Sequence, residues 1–173
     1  RARLRLASAV LSTRLKSPRN FQCLGLSPDM SLQPRSSATP ENKSPQWIRQ
    51  LAESYTLAWC SQEPAQVASF YEEDGSLAVN SDPPAIGREA ISNVARGFMT
   101  AFPDMRVVND DLDINDDGAI YHWTLTGTNS GPGGTGRSVN ISGYEEWRIG
   151  PNGLIATSQG HFDSADYQHQ LGL

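Results

Sequence analysis

The tract from 119 to 162 reads AIYHWTLTGTNS (119–130), GPGGTG (131–136), RSVNISGYEEWRI (137–149), GPNG (150–153) and LIATSQGHF (154–162). Its long pieces are rich in β-branched and aromatic residues, which suit a pleated, half-buried surface. Its short pieces hold the Gly, Pro and Asn that turns require. The pattern predicts strand, glycine-rich loop, strand, tight turn, strand: an antiparallel meander. Side chains two apart on a strand share a face. Glu145 therefore points with Trp147, while Glu146 faces the opposite side, toward solvent.

The turn at 150–153 leaves two registers open. As a four-residue loop it sets Trp147 opposite Ala156, Glu145 opposite Ser158 and Gly143 opposite Gly160. As a three-residue loop with a glycine bulge it shifts the pairing by one residue and turns Gln159 and His161 toward the side of Glu145. His161 and Asp163 would then supply an acid/base pair.

Upstream of the meander the periodicity is helical. Ser44 can cap a helix, Pro45 fits its first turn, and Trp47, Ile48, Leu51, Tyr55, Ala58 and Trp59 recur at three- and four-residue spacing. Pro64 opens a second short helix, PAQVASFY, closed by a turn at EEDG, and SLAVN follows as a strand. A turn at DPPAIG leads to a third helix, REAISNVARGFMTAF, with Ile91, Val94, Ala95, Phe98, Met99 and Phe102 inward and Pro103 stopping it. MRVVNDDLDI is then a strand, and DSADYQHQLGL closes the chain as a short helix. Helices first and a mostly antiparallel sheet afterwards predict an α+β domain, a cone-shaped barrel whose helices pack on the concave face of a curved sheet and leave a cavity between.

Composition narrows the classes. The chain has 173 residues and a net charge of -5. Residues 1–29 hold six basic residues against Asp29 alone, a net +5, so the rest carries -10. An acidic domain lacks the clustered Lys and Arg that phosphate contacts need, which excludes nucleic acid as a partner. No run is long and apolar enough for a membrane helix. Residues 1–43 have little apolar periodicity and are expected to be a disordered leader, upstream of Met30 in its first part. The Arg-rich, acid-free RARLRLASAVLSTRLK is the competing signal, an organelle transit peptide. The cytoplasm is the expected compartment in the first case, and Cys23 and Cys60 are expected as free thiols.

Residues 44–173 resemble a known family. YTLAWCSQEPAQVASFYEEDGSLAVN, IGREAI followed by AFPDMRV, WTLTGTNSG, GGTGRSV, ISGYEEWRI and the terminal QLG occur in the order found in SnoaL-like, polyketide cyclase-like proteins of the nuclear transport factor two-like superfamily. The resemblance implies a cone-shaped α+β barrel, a homodimer paired through the outer sheet face, and an internal pocket for a small apolar or polyketide-like molecule. The family's cyclases use an acid/base aspartate on the last strand and a histidine on the strand before, with no metal or organic cofactor. Aligned on QLG, the aspartate position is Gly160; aligned on Trp-Arg-Ile, the histidine position is Glu145. Both depart from the cyclase pattern, so the aldol cyclisation does not carry over directly.

One carboxylate has thus come in where another is lost. Glu145 is the expected general base, in a cavity walled by Tyr55, Trp59, Phe98, Trp123 and Trp147 with Ser158 nearby. Burial there should raise its pKa toward neutrality, which suits proton abstraction beside a carbonyl. The expected activity is that of a cofactor-free isomerase, cyclase or hydrolase; the alternative is a non-catalytic ligand-binding or protein-interaction member of the same fold. His122 and His169 read as surface residues, and three scattered histidines give no metal site. GPGGTG follows a strand without opening a helix and reads as a flexible pocket rim instead of a phosphate loop. The run NDDLDINDDG reads as solvated turns.

Overall fold

Ser44 starts the first helix as its sequence predicts: its hydroxyl accepts from Trp47 N at 3.2 Å, and Pro45 occupies the first turn, where its missing N–H costs nothing. The helix, α1, spans Pro45–Cys60 and buries Ile48, Leu51, Ala52, Tyr55, Ala58 and Trp59. This is a computed structural model, which describes residues 43–173; the leader expected at 1–43 lies outside the described residues but for Lys43, as does Cys23. The Cys60 thiol is free, and its sulfur lies 3.2 Å from Val107 N.

The other elements follow as α2 Pro64–Ser69, β1 Tyr71–Val79, β2 Ala85–Ile86, α3 Arg88–Ala101, β3 Arg106–Ile114, β4 Gly118–Thr128, β5 Ser138–Ile149, β6 Ile155–Phe162 and α4 Ser164–Leu171. The six strands form one open sheet in the order β2-β1-β6-β5-β4-β3. Every pairing is antiparallel except β1 with β6. The expected α+β architecture is therefore present, with β3 to β6 as a continuous meander. Alternate strand residues face inward. Ala119, Tyr121 and Leu125 of β4 and Val139, Ile141, Trp147 and Ile149 of β5 are buried in one apolar core with the inner faces of α1 and α3.

Four local expectations differ from the structure. Residues 109–114 of the run read as solvated turns are part of β3 and pair with β4. The EEDG segment is not a free turn but lies within β1. There Tyr71 pairs with Ile155 and Ser76 with Thr157, so the intervening residues bulge out of the ladder. Tyr71 thus belongs to the sheet and not to the end of α2. Within DPPAIG, Ala85 and Ile86 add a two-residue edge strand to β1. The GPGGTG loop is tied down instead of loose. Gly131 N donates to Ala101 O at 3.2 Å, Gly136 N to Asn129 O at 2.8 Å and Thr135 N to Asn129 Oδ1 at 2.7 Å.

The β5–β6 register matches neither of the two loop readings. Ile149 pairs with Ile155, a bulge follows, and Glu145 then lies opposite Gly160 and Trp147 opposite Ser158. The offset from the four-residue reading is two residues. A shift of two preserves faces where a shift of one inverts them. Ser158 and Gly160 consequently share the inner face with Glu145, and His161 does not.

Candidate functional site

Glu145 sits at mid-strand on the inner face of β5, only 7% exposed. Its cross-strand neighbours are Tyr121 on β4 and Gly160 on β6. Three donors converge on one oxygen. Oε2 accepts from Ser158 Oγ at 2.6 Å, from Trp147 Nε1 at 2.9 Å and from the Tyr55 hydroxyl at 3.1 Å. Among the described residues Oε1 has a single hydrogen-bond contact, 3.4 Å from the same Tyr55 hydroxyl. The carboxylate is anchored through one oxygen and left largely uncommitted through the other.

A cavity of about 50 Å³, partly open to the surface, adjoins this carboxylate. Trp59, Val94 and Phe98 wall it from the helices, and Val107, Tyr121 and Trp123 from the sheet. Gly160 lines it beside Glu145. A side chain there is sterically admissible: a Cβ would lie 3.7 Å from Glu145 Cγ. Its absence leaves the wall open next to the acid. Gly143 has the opposite character. A Cβ would come within 2.6 Å of Trp123, so only glycine lets the indole lie across β5 and reach the cavity. The buried Trp123 Nε1 has no hydrogen-bond partner among the described residues.

Burial pushes the Glu145 carboxyl above its usual value of 4.5, and the hydrogen bonds from Ser158, Trp147 and Tyr55 offset this only in part. The charged form loses more in leaving water than three donors return. Burial likewise raises the Tyr55 and Tyr71 hydroxyls far above the usual phenol range, with the Glu145 charge adding to it. Both phenols therefore act as neutral hydrogen-bonding groups. Because the folded carboxyl is the weaker acid, the stability that Glu145 contributes is complete below about pH 4.5 and is lost as pH rises through the folded pKa. Glu145→Gln cannot titrate. Its melting temperature should gain on that of the unsubstituted protein as pH rises from 4, then level off above the folded pKa; a gap that shrinks over this range would contradict the burial.

The residues singled out by sequence divide into two groups. Trp59, Phe98 and Trp123 line the cavity, whereas Tyr55, Trp147 and Ser158 lie behind the carboxylate and hold it. His161 is on the outer face, its ring stacked on Tyr144 at 4.7 Å and its Nε2 3.5 Å from Glu146. Asp163 caps α4, accepting from Ala165 N and Asp166 N. Neither is placed to share protons with Glu145. His122 bonds Asp113 on the outer face, and His169 is exposed on α4. Two participants went unmarked. Tyr121 follows from the alternation, two residues before Trp123. Tyr71, hidden by the bulge in β1, left no such signal. Among the described residues no group of three or more His, Cys, Asp or Glu side chains could hold a metal ion, and no helix is long and apolar enough to cross a membrane.

The profile of the SnoaL-like domain matches residues 51–158, a span that runs from α1 through Ser158. The chain belongs to the SnoaL-like family. No curated protein matches it in sequence. Solved structures carry the same nuclear transport factor two-like cone fold. TsrD from Streptomyces laurentii is 22% identical with a TM-score of 0.66, over 75% of this chain and 97% of that one. The proposed hydroxylase AclR from Streptomyces galilaeus is 20% identical with a TM-score of 0.65, over 75% and 98%. A proposed SnoaL-like polyketide cyclase from Jannaschia sp. CCS1 is 17% identical with a TM-score of 0.61, over 76% and 97%. At these identities the likeness is one of fold. This SnoaL-like chain differs at the position that resemblance assigns to an aspartate, Gly160, and places its buried carboxylate directly across the ladder, at Glu145.

Proposed function

We propose that this protein is a cofactor-independent acid/base catalyst, an isomerase, cyclase or hydrolase acting on a small carbonyl or polyketide-like compound, with Glu145 as its base. One observation carries the reading: a buried carboxylate beside an apolar cavity, with Oε2 saturated by three donors and Oε1 nearly free. Oε1 is then the atom that takes a proton from the carbon next to the carbonyl, and the resulting carboxylic acid can return it. A raised pKa brings the base closer to working pH, where general base catalysis is most effective. The Trp123 N–H, a buried donor without an acceptor, is what a carbonyl oxygen of the substrate would satisfy.

The size of the cavity favours a second reading. Ligand sites ordinarily enclose about 300–1,000 Å³, and about 50 Å³ admits only a small molecule or the reacting end of a larger one projecting through the opening. A non-catalytic member, holding a ligand or a protein partner, would need no more. Proton exchange separates the two. In D2O, a small ketone should exchange its α-hydrogens in the presence of the protein faster than in buffer, and Glu145→Gln should abolish the excess. Exchange at the buffer rate over a panel of such ketones would favour the binding role. We further infer a homodimer through the outer sheet face, where Val108 and Tyr144 are exposed.

A further inference from the structure

We propose that Tyr71 is a positioning residue for Glu145, acting through Tyr55 as the outer donor of the buried hydrogen-bond chain behind the carboxylate. The proposal rests on the reading of Glu145 as the base and extends it one layer back.

Tyr71 opens β1 and is fully buried. Its backbone is held on both sides. Arg88 Nε donates to Tyr71 O at 2.9 Å, and Ile155 N donates to the preceding carbonyl, Phe70 O, at 2.9 Å. The hydroxyl lies 2.8 Å from the Tyr55 hydroxyl, which in turn lies 3.1 Å from Glu145 Oε2. In isolation either tyrosine of such a pair could be the donor. The carboxylate removes the choice. An ionised carboxylate only accepts, and a hydroxyl has one proton to give. Tyr55 must spend its proton on Glu145, so Tyr71 must donate to Tyr55. The chain runs one way, Tyr71 to Tyr55 to Oε2, with Ser158 and Trp147 donating to the same oxygen.

Protonation of Glu145 need not reverse it. With Oε2 taken by three donors, the proton goes to Oε1, and Oε2 continues to accept. The network therefore keeps its direction through both protonation states, and Oε1 stays the less committed oxygen in each. Linked donors also polarise each other, so Tyr71 strengthens the bond that Tyr55 makes. Titratable groups facing this arrangement are few. Tyr55 comes from α1, Tyr71 from β1 and Tyr121 from β4, where Tyr121 bonds Thr56 at 2.7 Å instead of Glu145. Against Glu145, α3 presents Val94 and Phe98, β3 Val107, and β6 Ser158 and Gly160, none of them charged.

The test is the titration of the Glu145 side-chain carboxyl by carbon-13 NMR in the full chain, with Tyr71→Phe, Tyr55→Phe and the double variant. Loss of the Tyr55 donor should make Glu145 about tenfold weaker as an acid, and loss of Tyr71 about threefold weaker. The effect of Tyr71→Phe should be smaller in the Tyr55→Phe background than in the unsubstituted chain, because the hydrogen-bonded route from Tyr71 through Tyr55 is then already cut and only its approach to Ser158 remains. An unchanged Glu145 in Tyr71→Phe would overturn the proposal, as would additive effects in the double variant. A merely structural tyrosine would lower the melting temperature without this non-additivity. The titration needs no turnover, so the two readings fail separately. Ketone exchange that survives Glu145→Gln removes the base and leaves the relay standing, whereas a silent Tyr71→Phe removes the relay alone.

Discussion

Replacing Glu145 by Gln lowers kcat by about 10²–10⁴-fold, the usual contribution of a positioned general base, and changes ligand affinity little. The substitution is close to isosteric. The amide oxygen can take the place of Oε2 and keep accepting from Ser158, Trp147 and Tyr55, while the amide nitrogen occupies the position of Oε1, which makes only one long contact. Nothing in the wall of the cavity is disturbed, and only the capacity to take a proton is gone. An interaction lost only in the transition state lowers kcat and kcat/KM together. Steady-state kinetics on any substrate found through ketone exchange would show this. A rise in KM at constant kcat would assign Glu145 to binding instead.

Replacing Tyr55 by Ala destabilises the fold by about 3–5 kcal/mol, the range for removal of a large buried ring. Tyr55 is fully buried, and its ring meets five others edge-on: Trp59, Phe70, Tyr71, Tyr121 and Trp147. The closest, Trp147, lies 5.1 Å away centroid to centroid. Removing the ring opens a void that five rigid neighbours cannot close, and it strips Glu145 and Tyr71 of a shared partner. Tyr55→Phe separates these effects. It keeps the aromatic packing and should cost only about 1–2 kcal/mol, the value of one buried hydrogen bond and its unpaired remainder. Denaturant unfolding of both variants measures the difference. Equal losses would mean that the hydroxyl, not the ring, carries the stability.

Periodicity made the helices and the meander legible, because buried positions recur every three to four residues along the helices and every two along the strands. Ile91, Ala95 and Met99 on α3, and Tyr121, Glu145 and Trp147 in the sheet, face inward where spacing puts them. The inward direction of Glu145 needed only its place two residues before Trp147. What failed was the counting across irregular backbone. A connection one residue longer than four and the β5–β6 bulge, one residue each, moved the partner of Glu145 from Ser158 to Gly160, and the bulge in β1 carried Tyr71 into the sheet. Such irregularities are set by how strands close against their neighbours, which local composition does not encode. The face survived because the shift was even. The division between residues that line the cavity and residues that hold the acid from behind was not legible at all, since Trp59 and Tyr55 carry the same helical signal.

The account depends on a carboxyl at position 145 that is shut away from water, and its acid constant measures that directly. Carbon-13 NMR of the Glu145 side chain in the unsubstituted protein should show it titrating above the usual 4.5 of glutamate, apart from the exposed glutamates. Titration at or below that value would mean a carboxylate stabilised as an ion, and Glu145 would then be no base.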